Sequence, residues 1–562
     1  MNELYRWQLD ALVDWLRCGR RGVIEAVTGS GKTDVAIAAA RDALRRGRFV
    51  LVVVPSRVLM EQWHHRLTEA LPGVRVGRLG DSAKDLPDDC DVLVATRHSA
   101  AAHKPVPPGG DGLLIADECH GLGGKTLRRA MLRQYDERLG LTATLERSDD
   151  GVTELIVPYF GGICHRYGFE QAIEDGVCAR PRVALVGVEL SVEERAEYRE
   201  TEQQLVTARN HLRQVRGMPL APFGDFLAAV AHLAEKDAGP DGKAARDYLD
   251  TFSKRREIVA RSTGKYELLG QLADAIRDAH GALVFTETVR AANHAINRLD
   301  PLVSIDVITG STARRQRREI LDDLRVRRLD AVAAPRVLDE GIDVPDANLG
   351  IVMSASRTRR QMIQRMGRIL RRKQPGVAAR FLIMFAKDTI EDPANRMEGD
   401  GFLDEMDRIA EATRVFDGAS DAALDAFLGA PGPDVVPEPL RAVAAGTADG
   451  EALADQAGVE TAYALLAFVD PDERHHRALD VLEPRLPRPD PDGPYLEVEL
   501  PELPEIATPV VKPKKLSTGQ APLEIAAVDG AWLIRCTGCG ESSPPVQFRW
   551  QALEQSVVCR CD

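Results

Sequence analysis

Cysteine is scarce and thinly spread in this chain. Of nine cysteines in 562 residues, five stand alone (Cys18, Cys90, Cys119, Cys164 and Cys178) and four gather at the C-terminal end. That is too few for a disulfide scaffold, and one terminal cluster in a cytosolic chain points instead to a metal site. Long hydrophobic runs are missing too. No apolar stretch reaches the ~18 residues of a membrane span, although the 44% hydrophobic content allows full cores. The opening Met1-Asn2-Glu3-Leu4-Tyr5-Arg6-Trp7 has no charged-then-apolar export layout. These absences predict a cytoplasmic protein with no membrane contact. Net positive charge is also absent, the total being −13. The deficit is local, however: residues 1–390 carry +6 and residues 391–562 carry −19. A mildly basic first part leaves room for a polyanion groove there. A chain of this length should hold three or four domains.

What is present starts with Gly22 to Thr33. An apolar run from Val23 to Val27 reads as a buried strand, and an alanine-rich stretch from Asp34 to Arg45 reads as a helix. Between them Thr28, Gly29, Ser30, Gly31, Lys32 and Thr33 match a phosphate-binding loop, with Ala26 at its usual first glycine. Glycines let the backbone N–H groups turn inward around a triphosphate, and the helix N-terminus adds its dipole. Lys32 would reach the β- and γ-phosphates of ATP, and the Thr33 hydroxyl would ligate Mg²⁺. Upstream, Gln8 opens an amphipathic helix that runs to Leu16. Its amide can donate to adenine N7 and accept from N6, so it is a candidate base reader, although such a residue also suits a plain helix surface.

Further apolar strands follow. Phe49 to Val54 ends in Ser56 and Arg57, and Asp91 to Ala95 ends in Thr96 and Arg97. In open parallel sheets ligands bind at strand C-termini. These pairs are either ordinary loop residues or grips on a phosphodiester backbone. Gly112 to Ala116 runs into Asp117-Glu118-Cys119-His120. Asp117 would hold Mg²⁺, and Glu118 would orient and deprotonate the attacking water. Thr142-Ala143-Thr144 then supplies two hydroxyls after a fifth strand.

From Val192 to about Arg261 the pattern turns helical and charged, which predicts a helical hairpin or protrusion. Beyond it a second set of strands begins, with Thr286 at the end of the first. Gly341 and Asp343, in Glu340-Gly341-Ile342-Asp343-Val344-Pro345, are candidate nucleotide contacts. A basic helix follows with Gln364, Arg368 and Arg371. Two arginines three positions apart share a helix face. Both guanidinium groups could therefore meet a γ-phosphate held by the other domain, with Gln364 on the attacking water or the phosphate.

The order of these stretches resembles superfamily 2 helicases, and most closely their XPB-like branch. The carrying residues are Gly140-Leu141-Thr142-Ala143-Thr144-Leu145-Glu146-Arg147-Ser148-Asp149, Val337 to Ala347, and Gln364-Arg365-Met366-Gly367-Arg368-Ile369-Leu370-Arg371. The match covers about residues 4–390. It implies two RecA-like domains, a helical thumb in the place of residues 192–261, and an ATP-driven DNA helicase or translocase of 3′→5′ polarity. Departures are visible. Arg147-Ser148-Asp149 replaces the family's Arg-Glu-Asp, Ala334-Pro335-Arg336 stands where many relatives have a hydroxyl, and the family's N-terminal damage-recognition domain has no counterpart ahead of Gln8. The Asp-Glu-Cys-His run with a cysteine-rich tail is also similar to the bacterial RadD-type helicases.

The expected plan is an α/β protein: RecA-like domain 1 over 1–190, thumb-like insertion 191–262, RecA-like domain 2 over 263–390, an acidic helical region 391–480, a Pro-rich linker 481–520 and a small module 521–562. In that module Cys536 and Cys539 are followed by Cys559 and Cys561, two thiolate pairs that suit tetrahedral Zn²⁺, with buried or redox thiols as the alternative. DNA is the expected partner, with genome maintenance the expected setting. An ATP-dependent RNA remodeller and a nucleotide-gated scaffold whose tail recruits a nuclease or repair partner are the competing readings.

Overall fold

The computed structural model describes residues 4–147, 149–216, 223–237, 239–335, 347–353, 367, 369–395, 406–418, 422–443, 450–469, 475–488, 523–528 and 531–536. All six residues of Phe49–Val54 are buried. A run that is apolar on both faces needs a sheet covered on both sides, which is the setting of parallel α/β sheets.

The first sheet contains β1 (Arg21–Ala26), β2 (Phe49–Val54), β3 (Val76–Gly80), β4 (Ala83–Lys84), β5 (Val92–Thr96), β6 (Gly112–Asp117), β7 (Glu137–Thr142) and β8 (Ile163–Tyr167). Their order is β4-β3-β5-β2-β6-β7-β1-β8, parallel throughout except for the β3–β4 pair. Helices α1 (Arg6–Arg17), α2 (Lys32–Arg45), α3 (Arg57–Ala70) and α4 (Arg97–His103) belong to this lobe. Because β1 and β6 both neighbour β7, the loop after β1 and the acids after β6 emerge at one edge, with Thr142 between them.

The second sheet contains β9 (Pro181–Val188), β10 (Ala282–Thr286), β11 (Ile305–Val307), β12 (Ala331–Pro335), β13 (Leu349–Val352), β14 (Ala379–Ala386) and β15 (Ala412–Asp417). Its order is β11-β12-β10-β13-β14-β9-β15, with every pair parallel. Two boundaries move accordingly. β9 falls inside the expected first domain, yet it pairs along its whole length with β14. β15 falls inside the expected helical tail, yet it closes the edge beside β9.

Between β9 and β10, helices Val192–Arg216, Phe223–Lys236 and Pro240–Ala260 pack around Leu205, Leu212, Phe226, Val230, Ala245 and Tyr248. The insertion is thus a three-helix unit with its own apolar centre.

The tail reaches both lobes. Gly432 N–H donates to Gly376 O at 2.9 Å, and Gly376 N–H donates to Pro433 O at 2.9 Å, which fixes the start of the irregular segment 430–443 to the second lobe. Farther along, Arg6 N–H donates to Leu440 O and Ala442 N–H to Leu4 O, both at 2.8 Å, and Arg441 lies over the Tyr5 ring at 4.8 Å. The same segment therefore ends beside the start of α1. Helices Gly450–Ala457, Val459–Ala464 and His476–Leu482 then join the core of the first lobe. Most of the linker lies outside the described residues. β16 (Leu523–Val528) and β17 (Ala531–Cys536) form an antiparallel hairpin.

Candidate active site

The loop after β1 is built on two glycines in the left-handed region, Gly29 at φ +88° and Gly31 at φ +94°. Only glycine adopts that backbone without strain. A Cβ at Gly31 would also stand 2.6 Å from Gln8 Nε2. Lys32 starts α2, and its amine donates to Ala26 O at 2.6 Å and to Val27 O at 3.2 Å. Burial lowers the Lys32 pKa, while Glu118 and Asp117 act to raise it. The Ser30 hydroxyl donates to Val27 O at 2.8 Å, and the Thr28 hydroxyl is buried without a hydrogen-bond partner. Thr33 lies half-buried in the first turn of α2.

Gln8 is 1% exposed. Its Oε1 accepts the Tyr5 N–H at 2.8 Å, a capping-box contact, and its Nε2 donates to Gly31 O at 3.0 Å. The amide offered by the sequence for adenine is engaged in tying α1 to the phosphate loop.

Asp117 and Glu118 close the opposite side. Burial and the neighbouring Glu118 push the Asp117 carboxyl up to about 6, against the pull of the Trp63 N–H and of Lys32. Glu118 has φ +48°, a left-handed backbone for a residue with a side chain, which costs on the order of 1–2 kcal/mol. Its Oε2 lies 3.4 Å from both Thr142 Oγ1 and His120 Nδ1, and those two atoms are 3.0 Å apart. Arg147 donates to His120 O at 2.9 Å and pairs with Asp149 at 2.6 Å, so the Arg147 guanidinium braces the acid loop.

The second lobe meets this loop directly. A Cβ at Gly29 would stand 3.2 Å from Arg371 Cγ and 3.1 Å from Gly367 O, and one at Gly367 would stand 2.5 Å from Thr28 Cβ. Glycine on both sides lets the two backbones touch across the cleft. Cys178, between β8 and β9, forms an isolated bridge with Arg371, and Ala179 N–H donates to Leu370 O at 2.8 Å. Burial pushes the Cys178 thiol up to about 12, against Lys373, Lys32 and Arg371. Lys32 and Arg371 thus act on one buried thiol from two lobes. Gln364, Arg368, Gly341 and Asp343 lie outside the described residues.

The expected backbone grips fare differently. Ser56 caps α3 by accepting the Leu59 N–H at 3.3 Å. Thr96 caps α4 by accepting the Ser99 N–H at 3.2 Å and is 7% exposed. Thr286 is 2% exposed, and its hydroxyl donates to Thr288 O at 3.2 Å. Both hydroxyls are turned inward, that of Thr96 onto its own helix as a cap and that of Thr286 onto the turn after β10. Arg97 leans over the acid loop, where a Cβ at Gly121 would stand 2.6 Å from its Nη1. Arg57 is 55% exposed and pairs with Asp81. Sequence reasoning missed Trp63 and a cavity of about 430 Å³ between the thumb and the second lobe, lined by Arg256, Arg261, Tyr266, Glu287, Arg290 and His294 among others. The basic end of the thumb helix was the available signal; its partners come from the turn after β10.

Cys536 is the last residue of β17, and Cys539, Cys559 and Cys561 lie outside the described residues. Among the described residues no cluster of three or more His, Cys, Asp or Glu is placed to hold a metal. No helix among them is long and apolar enough to cross a membrane.

Residues 2–147 match the family described as type III restriction enzyme, res subunit, and residues 264–373 match the helicase conserved C-terminal domain. The chain is 34% identical over 375 residues to the DNA 3'-5' translocase XPB2 of Sulfurisphaera tokodaii, covering 66% of this chain and 79% of that protein. It is 27% identical over 389 residues to the putative DNA 3'-5' helicase Rad25 of Halobacterium salinarum, covering 68% of this chain and about half, 54%, of that protein. Among solved structures, S. cerevisiae Dbp5 bound to RNA and ADP BeF3 overlays with a TM-score of 0.47 at 13% identity, covering 75% of this chain and 92% of that one.

Proposed function

Since the chain belongs to the XPB-like family of superfamily 2 helicases, we propose that it is an ATP-driven motor that moves along DNA with 3′→5′ polarity. The observation that carries this reading is the seating of Arg371 against Gly29 of the phosphate loop, from the other lobe.

The loop suits a magnesium-bound triphosphate. The Thr28 hydroxyl is buried without a partner, Gly31 leaves no room for a Cβ, and a lysine, a threonine and a carboxylate converge there. In this reading Lys32 and the loop N–H groups of Gly29, Ser30 and Gly31 hold the phosphates, while Thr33 and Asp117 hold Mg²⁺. Bound Mg²⁺ neutralises charge on the phosphate oxygens. Glu118 takes the proton of the attacking water, oriented by Thr142 and His120. Arg371, with Arg368, Gln364, Gly341 and Asp343, completes the site from the second lobe, and the lobes open and close as nucleotide turns over.

Arg57 and the basic cavity of Arg256, Arg261, Arg290 and His294 are the grips that this reading assigns to the DNA backbone. Such contacts read phosphates rather than bases, so sequence preference should be weak. The two thiolate pairs Cys536/Cys539 and Cys559/Cys561 have the donor chemistry of a structural Zn²⁺ module at the chain end, and a repair or nuclease partner would dock through that tail.

ATPase and unwinding on single-stranded DNA, duplex, fork, 3′-tailed duplex and matched RNA test the reading. DNA stimulation and unwinding of the 3′-tailed duplex are expected, both lost in Glu118→Gln. Stimulation by RNA alone would replace it with an RNA remodeller. Full cellular function of Glu118→Gln would replace it with a nucleotide-gated scaffold.

A further inference from the structure

Trp63 lies on α3, well inside the first lobe and only 2% exposed. Its indole N–H donates to Asp117 Oδ2 at 2.9 Å. An indole has one donor and no acceptor, and a buried one needs a partner. Here that partner is the carboxylate assigned above to Mg²⁺, and a bond to an ionised acceptor is among the stronger kind. One helical turn on, and on the same face, Arg66 Nη2 donates to Asp34 Oδ1 at 2.6 Å, in the first turn of α2 directly after Thr33. Helix α3 therefore touches both sides of the phosphate site through side chains of fixed reach. Its first residue is Arg57, the exposed cation assigned above to the DNA backbone, and Ser56 caps the same end. An α-helix is a stiff rod over the ~9 Å that separate the first residue from the seventh. A displacement at Arg57 is therefore delivered to Trp63 rather than absorbed between them.

We propose that Trp63 is a positioning residue that holds the Asp117 carboxylate in place for Mg²⁺, and that α3 passes the engagement of a DNA strand at Arg57 to that carboxylate through this hydrogen bond. The proposal rests on the motor reading above. It gives DNA-stimulated hydrolysis a physical route: the strand shifts α3, α3 shifts the indole, and the indole sets the orientation of the cation's ligand. Arg66 and Asp34 give the lever a second point of attachment, so α3 moves with α2 instead of sliding past it.

Trp63→Phe keeps the ring and removes the N–H. In the full chain, the Mg²⁺ concentration for half-maximal ATPase should rise about tenfold, the loss of one hydrogen bond to a charged group. Stimulation by single-stranded DNA should fall as well. Trp63→His, which restores a ring N–H, should recover part of both effects. Unchanged Mg²⁺ dependence together with unchanged DNA stimulation would overturn the proposal. A second measurement needs no variant at this position. With 5-fluorotryptophan in the otherwise wild-type chain, the Trp63 fluorine resonance, identified by elimination using Phe variants at Trp7, Trp15, Trp532 and Trp550, should shift when MgCl₂ is added to the ADP-bound protein and again with single-stranded DNA. A resonance indifferent to both would also overturn it. A wild-type chain without ATPase would instead sink the motor reading itself, a result separable from either outcome.

Discussion

The two ends of α2 carry similar charges on opposite terms. At the N-terminal end, the Lys32 ammonium donates to two neutral carbonyls, Ala26 O and Val27 O. At the C-terminal end, Arg46 makes two parallel bonds to Glu137 at 2.7 and 2.8 Å and a third to Asp42 at 3.0 Å. Arg20 joins the same buried group and reaches Glu483 of the tail at 2.9 Å, while the Tyr463 hydroxyl donates to Asp42 at 2.6 Å. A cation resting on carbonyls can exchange them for a stronger anionic partner at modest cost. A guanidinium matched bidentately to buried carboxylates cannot leave without stranding charge. One end of the helix is suited to receive a ligand, and the other is architecture that anchors the tail helices to the first lobe.

The sharpest way to break this comparison is Arg46→Met. Removing one member of a buried ion group should cost about 3–5 kcal/mol, read as a lower first thermal transition. An unshifted melt would show the network to be decorative. Lys32→Ala should do the reverse, lowering ATP turnover by about a hundred- to a thousandfold while leaving the melt in place. A Lys32 variant that melts early would erase the distinction between the two ends. The mildest probe is Tyr463→Phe, which removes the hydrogen bond donated to Asp42 and the one accepted from Arg45 and should cost about 1.5–3 kcal/mol in urea unfolding. It also has a pH signature. Burial alone would raise Asp42, but Arg46, Arg20 and the Tyr463 hydroxyl outweigh it and hold the carboxyl below its ordinary value. Its stabilisation is therefore complete above the unfolded value near 3.9 and is lost as pH falls through the lower folded value. Stability from this group should be flat from pH 7 to 5 in both proteins, and in Tyr463→Phe the acid loss, which starts at the same unfolded value, should be smaller and complete at a higher pH.

Much of the candidate site was readable in the chain because its chemistry is local. A strand, two glycines, Lys32 and a helix must form a loop of one shape, and Asp117-Glu118 at a strand end must face the same sheet edge. Arg371 was readable from the spacing of a basic helix, although its seat against Gly29 is a tertiary fact. Other features were hidden because they depend on partners far away in sequence. β9 reads as an apolar strand wherever it goes, and only its pairing with β14 puts it in the second lobe. Thr96 and Thr286 read as available hydroxyls until capping and burial turn them inward. Trp63 reads as a core aromatic of an amphipathic helix until Asp117 is found at its N–H.

By itself the sequence determined the glycine positions of the phosphate loop and the lobe type, and it named the candidate site residues, since those follow from φ preferences, periodicity and side-chain chemistry within a few residues of chain. The tertiary structure decided which strands join which sheet and which charges are satisfied. Arg45 and the Tyr463 hydroxyl lie 418 residues apart in the chain and 2.7 Å apart in space. A charge that finds such a partner becomes part of the frame, and no local pattern announces it, because pairing energy depends on distance and burial rather than on order along the chain.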